Sequence, residues 1–225
     1  MALPKAVISW STGKDSAYAL HVAREAGDLE IVAALTTVTE TLERVSVHGT
    51  RETLLDRQMD AIDLPCHKVH LPGPCTNEVY EARMEAALGG LKHQGVSHVL
   101  FGDLFLEDLR EYRKQHLARI GMRGAFPLWM RDTAALSREM VDAGVRATLV
   151  CVDPRVLDPS FCGRTYDHAL LDDLPSHIDP CGENGEFHTA VVDAPGFARA
   201  IPTQSGEVEE RDGFVYADLA LLPEA

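Results

Sequence analysis

Residues Ser9 to Ser16 read SWSTGKDS, between the apolar run Ala6 to Ile8 and the helical pattern AYALHVAREAG that begins at Ala17. A strand that turns into a helix through two hydroxyl residues, one glycine, a lysine and an acid constrains the fold more than any other stretch of the chain. Backbone N–H groups at a helix start point outward and attract an anion. Lys14 adds a neutralising charge, and Ser11, Thr12 and Ser16 add donors. The helix dipole alone supplies about 0.3–1 kcal/mol. Several charge-assisted hydrogen bonds of about 1.5–3 kcal/mol each outweigh it, so a ligand with many oxygens, such as pyrophosphate, makes the best use of such a loop. An ordinary N-capped strand-to-helix turn is the plainer reading.

Two better-known phosphate loops do not fit. A Walker A loop needs a glycine five positions before Gly13 and a hydroxyl directly after Lys14, where this chain has Ile8 and Asp15. A dinucleotide-binding fingerprint needs several glycines in the turn, and only Gly13 is present.

The rest of the chain follows an α/β rhythm. A strand is predicted at Ala6 to Trp10, a helix from about Asp15 to Ala26 closed by Gly27, and a strand at Ile31 to Leu35. Leu54, Leu55, Met59 and Ile62 share one helical face, as do Val79, Met84 and Leu88 in a later segment. SHVLF reads as a buried strand ending at Gly102-Asp103, followed by a helix from Leu109 to Ile120 stopped by Gly121. Right-handed crossovers then give a parallel sheet with helices on both faces. Past Gly124 the texture changes. A helix-strand unit at Thr133 to Val152 leads into a Pro-, Gly- and Asp-rich stretch, and the tail forms a hairpin whose Asp212-Gly213 pair suits a type I′ turn. The expected division is residues 1–124 and residues 125–225.

Charge narrows the partners. Lys and Arg total 21 against 35 Asp and Glu, a net charge of −14, which makes nucleic acid and anionic membranes poor partners without a local basic patch. The five cysteines contain no Cys-x-x-Cys pair, so neither a disulfide framework nor a zinc or redox motif is expected. With no apolar h-region at the start and no run near the roughly 20 apolar residues that span a bilayer, a cytoplasmic protein is expected.

SxGKDS after the first strand resembles the PP-loop of the N-type ATP pyrophosphatases, whose usual form is Ser-Gly-Gly-x-Asp-Ser. Thr12 stands where the first glycine is usual, and its Cβ makes the loop less permissive there. SWSTGKDSAYAL, LTTVTE with RVSVHGTR, FGDLFLEDLREYR, FPLW and CGENGEFHT, in that order, resemble the branch related to diphthine-ammonia ligase.

The resemblance implies a Rossmann-like sheet of the adenine nucleotide alpha hydrolase type, an ATP-binding domain at 1–124 and a smaller α+β domain at 125–225 that closes the cleft. It implies ATP and Mg2+, with AMP transferred to a carboxylate, small or protein-borne, and an amide then formed with ammonia or an amine. Ser9, Ser11, Thr12, Gly13, Lys14, Asp15 and Ser16 would bind ATP, with Thr36, Thr37, His48 and Gly102. Lys14, Asp15, Asp103 and Glu186 would carry the chemistry, Asp103 also as a magnesium ligand. Two glycines frame Glu183 and Glu186, which suits a tight loop rather than a packed strand; with His188 these acids would serve the ammonia step. Diphthine-specific members usually read Gly-Glu-Gly-Gly-Glu-Phe-Glu-Thr, so Asn184 and His188 depart from that pattern.

Other readings stay open. Arg110, Arg113 and Lys114 share a helical face that would meet phosphates or a carboxylate, although balancing acids favour a solvated face. A PP-loop RNA-modifying ligase or thiolase, and a non-catalytic ATP sensor similar to universal stress proteins, are the competing functions. A zinc site at His168, His177 and His188 lacks ligand spacing. A homo-oligomer is compatible with the sequence.

Overall fold

The computed structural model describes residues 2–46 and 48–223. Its first sheet is built from β1 (Lys5–Ser9), β2 (Glu30–Thr39), β3 (Arg44–Val45), β4 (Cys66–Leu71), β5 (Val96–Leu100) and β6 (Arg123–Ala125). β1 pairs in parallel with β2 on one side and β5 on the other; β4 joins β2 and β6 joins β5, also in parallel, and only β3 runs antiparallel. The chain therefore builds outward from β1 through β2 to β4, then returns to the other side of β1 to lay down β5. The reversal of strand order leaves a crevice at the carboxyl ends of β1 and β5, the place where open α/β sheets bind ligands.

Both faces of this sheet are covered, as its apolar strands require. Ile8, Ala34, Val38 and Leu100 point toward α1 (Lys14–Ala26) and α2 (Glu52–Ile62), where they meet Ala17, Leu20, Leu55 and Met59. Val7, Leu35, Val69 and Val99 point the other way, toward Leu88 and Leu91 of α3 (Asn77–His93) and Leu117 of α4 (Glu107–Arg119). Gly27 closes α1 at φ 65°, its N–H bonded to the Ala23 carbonyl, as the sequence predicts.

After α5 (Thr133–Asp142), β7 (Arg146–Val152) enters a second, fully antiparallel sheet, completed past the short α6 (His168–Asp173) by β8 (Phe187–Asp193), β9 (Thr203–Arg211) and β10 (Phe214–Leu221) in the order β8-β7-β10-β9. Asp212 and Gly213 both have positive φ, 53° and 79°, which matches the type I′ turn. The two sheets share one apolar cluster, in which Leu149, Phe187, Val191 and Val215 pack with residues of α1 and β1. One expectation is corrected: only the front of CGENGEFHT is a loop, because Phe187 to Thr189 open β8. Phe187 and Thr189 turn inward and are about 2% exposed, which makes them strand residues despite the glycines before them.

Candidate active site

The turn after β1 is held in a conformation that suits glycine. Thr12 has φ 71°, the left-handed region, where a β-branched residue is a true outlier at a cost of about 1–3 kcal/mol. It is fully buried, and three contacts hold it. Its hydroxyl lies 2.9 Å from that of Thr50, and its carbonyl accepts from Val191 N at 2.9 Å and from Gln58 Nε2 at 3.1 Å.

Gly13 is the N-cap of α1, and among the described residues no side chain caps the helix start. The Lys14 amide is instead met from the second sheet, donating to Thr189 Oγ1 at 3.1 Å. Ser11 Oγ accepts from Gly13 N at 3.3 Å and lies 3.3 Å from Ser16 Oγ.

Lys14 is buried, with 1% of its surface exposed. Its ammonium donates to both Asp15 oxygens at 2.9 and 3.0 Å and to the Cys181 carbonyl at 2.5 Å. It also lies over the rings of Tyr166 and Phe187, at 5.2 and 5.6 Å. Burial is the largest single influence and opposes the charge, but the neighbouring groups, Asp15 foremost and Asp179 among them, together outweigh it, and the ammonium titrates above its ordinary value.

Across the crevice, the end of β5 supplies Phe101, Gly102 and Asp103. A Cβ on Gly102 would stand 2.8 Å from the backbone carbon and oxygen of Asp15, so only glycine lets this strand end abut α1. Asp103 is 8% exposed, and burial pushes its carboxyl above the ordinary range against the pull of Arg113. Arg113 Nε sits 2.8 Å from Asp103 Oδ2 without hydrogen-bond geometry, and its guanidinium stacks 4.3 Å from the Phe101 ring. The arginines of α4 are thus not one solvated face. Arg113 turns into the crevice, Arg110 lies over Trp129 at 4.4 Å, and Lys114 alone pairs outward, with Glu111.

The two acids of the glycine-framed loop have different jobs. Glu183 reaches the crevice, accepts from Leu104 N at 2.7 Å, and is pushed up to about 7 by burial, with Asp15 and Asp103 adding to the effect. Glu186 turns back into its own loop and accepts from Asp179 N, Asn184 N and Asn184 Nδ2 at 2.9–3.1 Å. It shapes the loop that aims Glu183.

His48 and His188 pack together with ring centroids 4.7 Å apart and the rings tilted by 35°. His48 Nδ1 donates to the Thr189 carbonyl at 2.9 Å, which leaves Nε2 as the acceptor in the neutral ring. Burial lowers both histidines, His188 to about 3, so this wall carries no charge at neutral pH.

These groups surround a crevice open to solvent, with about 700 Å³ of empty space including the solvent at its mouth. Of the residues singled out in the sequence, Ser9, Ser11, Lys14, Asp15, Ser16, His48, Gly102, Asp103, Glu183 and His188 line it. Thr12 and Gly13 lie beneath it, Glu186 behind it, and Thr36 spends its hydroxyl on the Trp10 carbonyl within the sheet at 3.0 Å, with Thr37 beside it in β2. Sequence reasoning passed over Cys181, Phe187 and Thr189, which only the second sheet and its loop bring here. A hollow of about 650 Å³ between α3 and α4 shares Phe101 and Arg113 with the crevice, but its lining is mostly apolar and includes no residue of the first turn. Among the described residues no group of three or more His, Cys, Asp or Glu is placed to hold a metal by itself.

Residues 4–124 match the family model described as diphthamide synthase N-terminal domain, and residues 132–219 match its C-terminal domain counterpart. The chain is similar to the human diphthine--ammonia ligase, at 30% identity over 123 residues, 52% of this chain and 46% of that protein. The zebrafish (Danio rerio) protein of the same name is 31% identical over 125 residues, 52% of this chain and 48% of its own length. The Schizosaccharomyces pombe protein is 32% identical over 96 residues, covering 41% of this chain and 16% of that protein. The chain thus spans about half the length, or less, of the curated relatives it matches.

Proposed function

The chain belongs to the diphthamide synthase family, and we propose that it is an ATP-dependent ligase that joins a carboxylate to ammonia or an amine, releasing AMP and pyrophosphate. The observation that carries this reading is convergence. Ten residues chosen from four separated sequence segments line one crevice at the reversal point of a parallel sheet.

In this reading the domain at 1–124 binds ATP and that at 125–225 closes over it. The first turn, with Ser11, Lys14 and Ser16, receives the β and γ phosphates and leaves the α phosphorus facing Asp103 and Arg113. A carboxylate oxygen of the acid attacks that phosphorus, the bond to the β-phosphate oxygen breaks, and pyrophosphate leaves. The amine nitrogen then attacks the activated acyl carbon, AMP leaves, and the proton passes to Glu183, whose carboxyl titrates near neutrality and is therefore matched to base catalysis. Magnesium is held by one or two carboxylates together with phosphate oxygens and water. Asp15 and Asp103 supply two carboxylates in the crevice and suit that role; the ion would offset phosphate charge.

The acid differs from diphthine if the wall at residue 188 selects it, since His188, a departure from the diphthine-specific pattern, is held neutral there. A cytoplasmic location fits the reading, as does self-association, and no helix among the described residues is long and apolar enough to cross a membrane. The deciding experiment is ATP-pyrophosphate exchange across a panel of small and protein-borne carboxylic acids, diphthine included. Exchange that depends on one acid is the expected result. ATP binding without exchange by any acid would favour a sensor, and exchange dependent on tRNA would favour an RNA-modifying ligase.

A further inference from the structure

Gln58 lies on α2, outside every motif of the crevice, and is fully buried. Its Oε1 accepts from Trp10 Nε1 at 2.8 Å, while Nε2 donates to Thr12 O at 3.1 Å and to Val191 O at 2.7 Å. The amide orientation is forced, because an indole N–H can only donate and a carbonyl can only accept. One side chain thus ties the end of β1, the strained residue of the first turn and β8 of the second sheet.

The Thr12 carbonyl receives two donors, Gln58 Nε2 and Val191 N. A peptide unit is planar, so fixing that carbonyl also fixes the direction of the Gly13 N–H on the other side of the bond. Threonine resists φ 71°, whereas glycine adopts it without cost. From these contacts we propose that Gln58 is a positioning residue, which clamps Thr12 in its left-handed conformation and so sets the Gly13 amide that holds Ser11 Oγ in place at the crevice, where that hydroxyl meets phosphate. The proposal rests on the reading that this turn binds ATP.

Its signature is coupling between positions 12 and 58. ATP affinity is measured by calorimetry for the unsubstituted protein, Gln58→Met, Thr12→Gly and the double variant, with KM for ATP and kcat measured alongside. Methionine keeps the volume of glutamine and removes both donors. Gln58→Met is expected to weaken ATP binding about tenfold and to raise KM for ATP more than it lowers kcat. In the Thr12→Gly background the same substitution should cost no more than about threefold, because glycine needs no clamp. Unchanged affinity in Gln58→Met, or an equal loss in both backgrounds, overturns the proposal. Should Gln58→Met fail to fold, the double variant decides: recovered folding supports the clamp, and continued failure overturns it. Absence of ATP binding by the unsubstituted protein would instead refute the functional reading, and the melting temperatures of the four proteins would then decide the clamp by the same coupling.

Discussion

Asp103 and Arg113 face each other across the end of β5, 2.8 Å apart, with the guanidinium stacked on Phe101. The carboxyl is largely buried, so its charge depends on that cation. Arg113→Met should raise the Asp103 pKa further and lower ATP-pyrophosphate exchange by about ten- to a hundredfold at pH 7, the scale of a lost charge-assisted contact. The pH of half-maximal exchange should move upward. Adding Asp103→Asn to Arg113→Met should abolish the recovery at higher pH, and an unshifted pH profile in Arg113→Met would separate the two residues.

Glu183 gives the second prediction. Burial raises its carboxyl from the ordinary 4.5 to about 7, so the native state holds a proton that the unfolded chain has released. Its stabilising contribution is therefore complete below about 4.5 and is lost as pH rises through about 7. Glu183→Gln should flatten the decline in melting temperature across that window. The unsubstituted enzyme should gain amide-forming rate as pH rises through about 7, and the variant should lose that limb while retaining ATP-pyrophosphate exchange. A melting profile that keeps its slope in the variant would exclude Glu183 as the source.

The first turn, the β5 end and the Glu183 loop were legible in the sequence because each is a local pattern: hydroxyls and Lys14 after a strand, Gly102-Asp103 after another, and two glycines around an acid. What the sequence hid is long-range. Thr189, 175 positions from Lys14, meets its amide only because β8 runs past the helix start. Gln58 looks like one more polar residue of an amphipathic helix, and nothing in its neighbourhood marks it as buried. Arg113 sits among acids that balance its charge in the sequence, but its place on the helix turns it toward Asp103. Glu183 and Glu186 are equivalent by composition, and hydrogen bonds alone separate the one that reaches the crevice from the one that folds the loop.

Gly13 supplies a steric test. A Cβ there would lie 2.6 Å from Cε1 of His48, although the backbone at φ −92° accepts any residue. The main obstacle to alanine is thus the imidazole rather than the φ of Gly13, with the Thr189 carbonyl at 3.2 Å a lesser one. Gly13→Ala should reduce ATP affinity by about tenfold or more, and His48→Ala in the same chain should restore much of it by making room. No recovery in the double variant would mean that the helix start itself had moved.

Lys14 separates folding from chemistry. Its ammonium bonds Asp15 in α1 and the Cys181 carbonyl in the loop before β8, so it joins the two sheets as well as serving the turn. Lys14→Met keeps most of the volume and the contact with the Tyr166 and Phe187 rings, but leaves the Cys181 carbonyl and Asp15 without their cation. Loss of a buried charged partner costs about 1–3 kcal/mol, within the usual stability of a domain this size, so the variant should remain folded with a lowered melting temperature. Acid-dependent pyrophosphate release should nevertheless vanish, since among the described residues the other cation that lines the cavity, Arg113, is turned to Asp103 and not to the first turn. Release at the unsubstituted rate from folded Lys14→Met would remove the triphosphate from this turn.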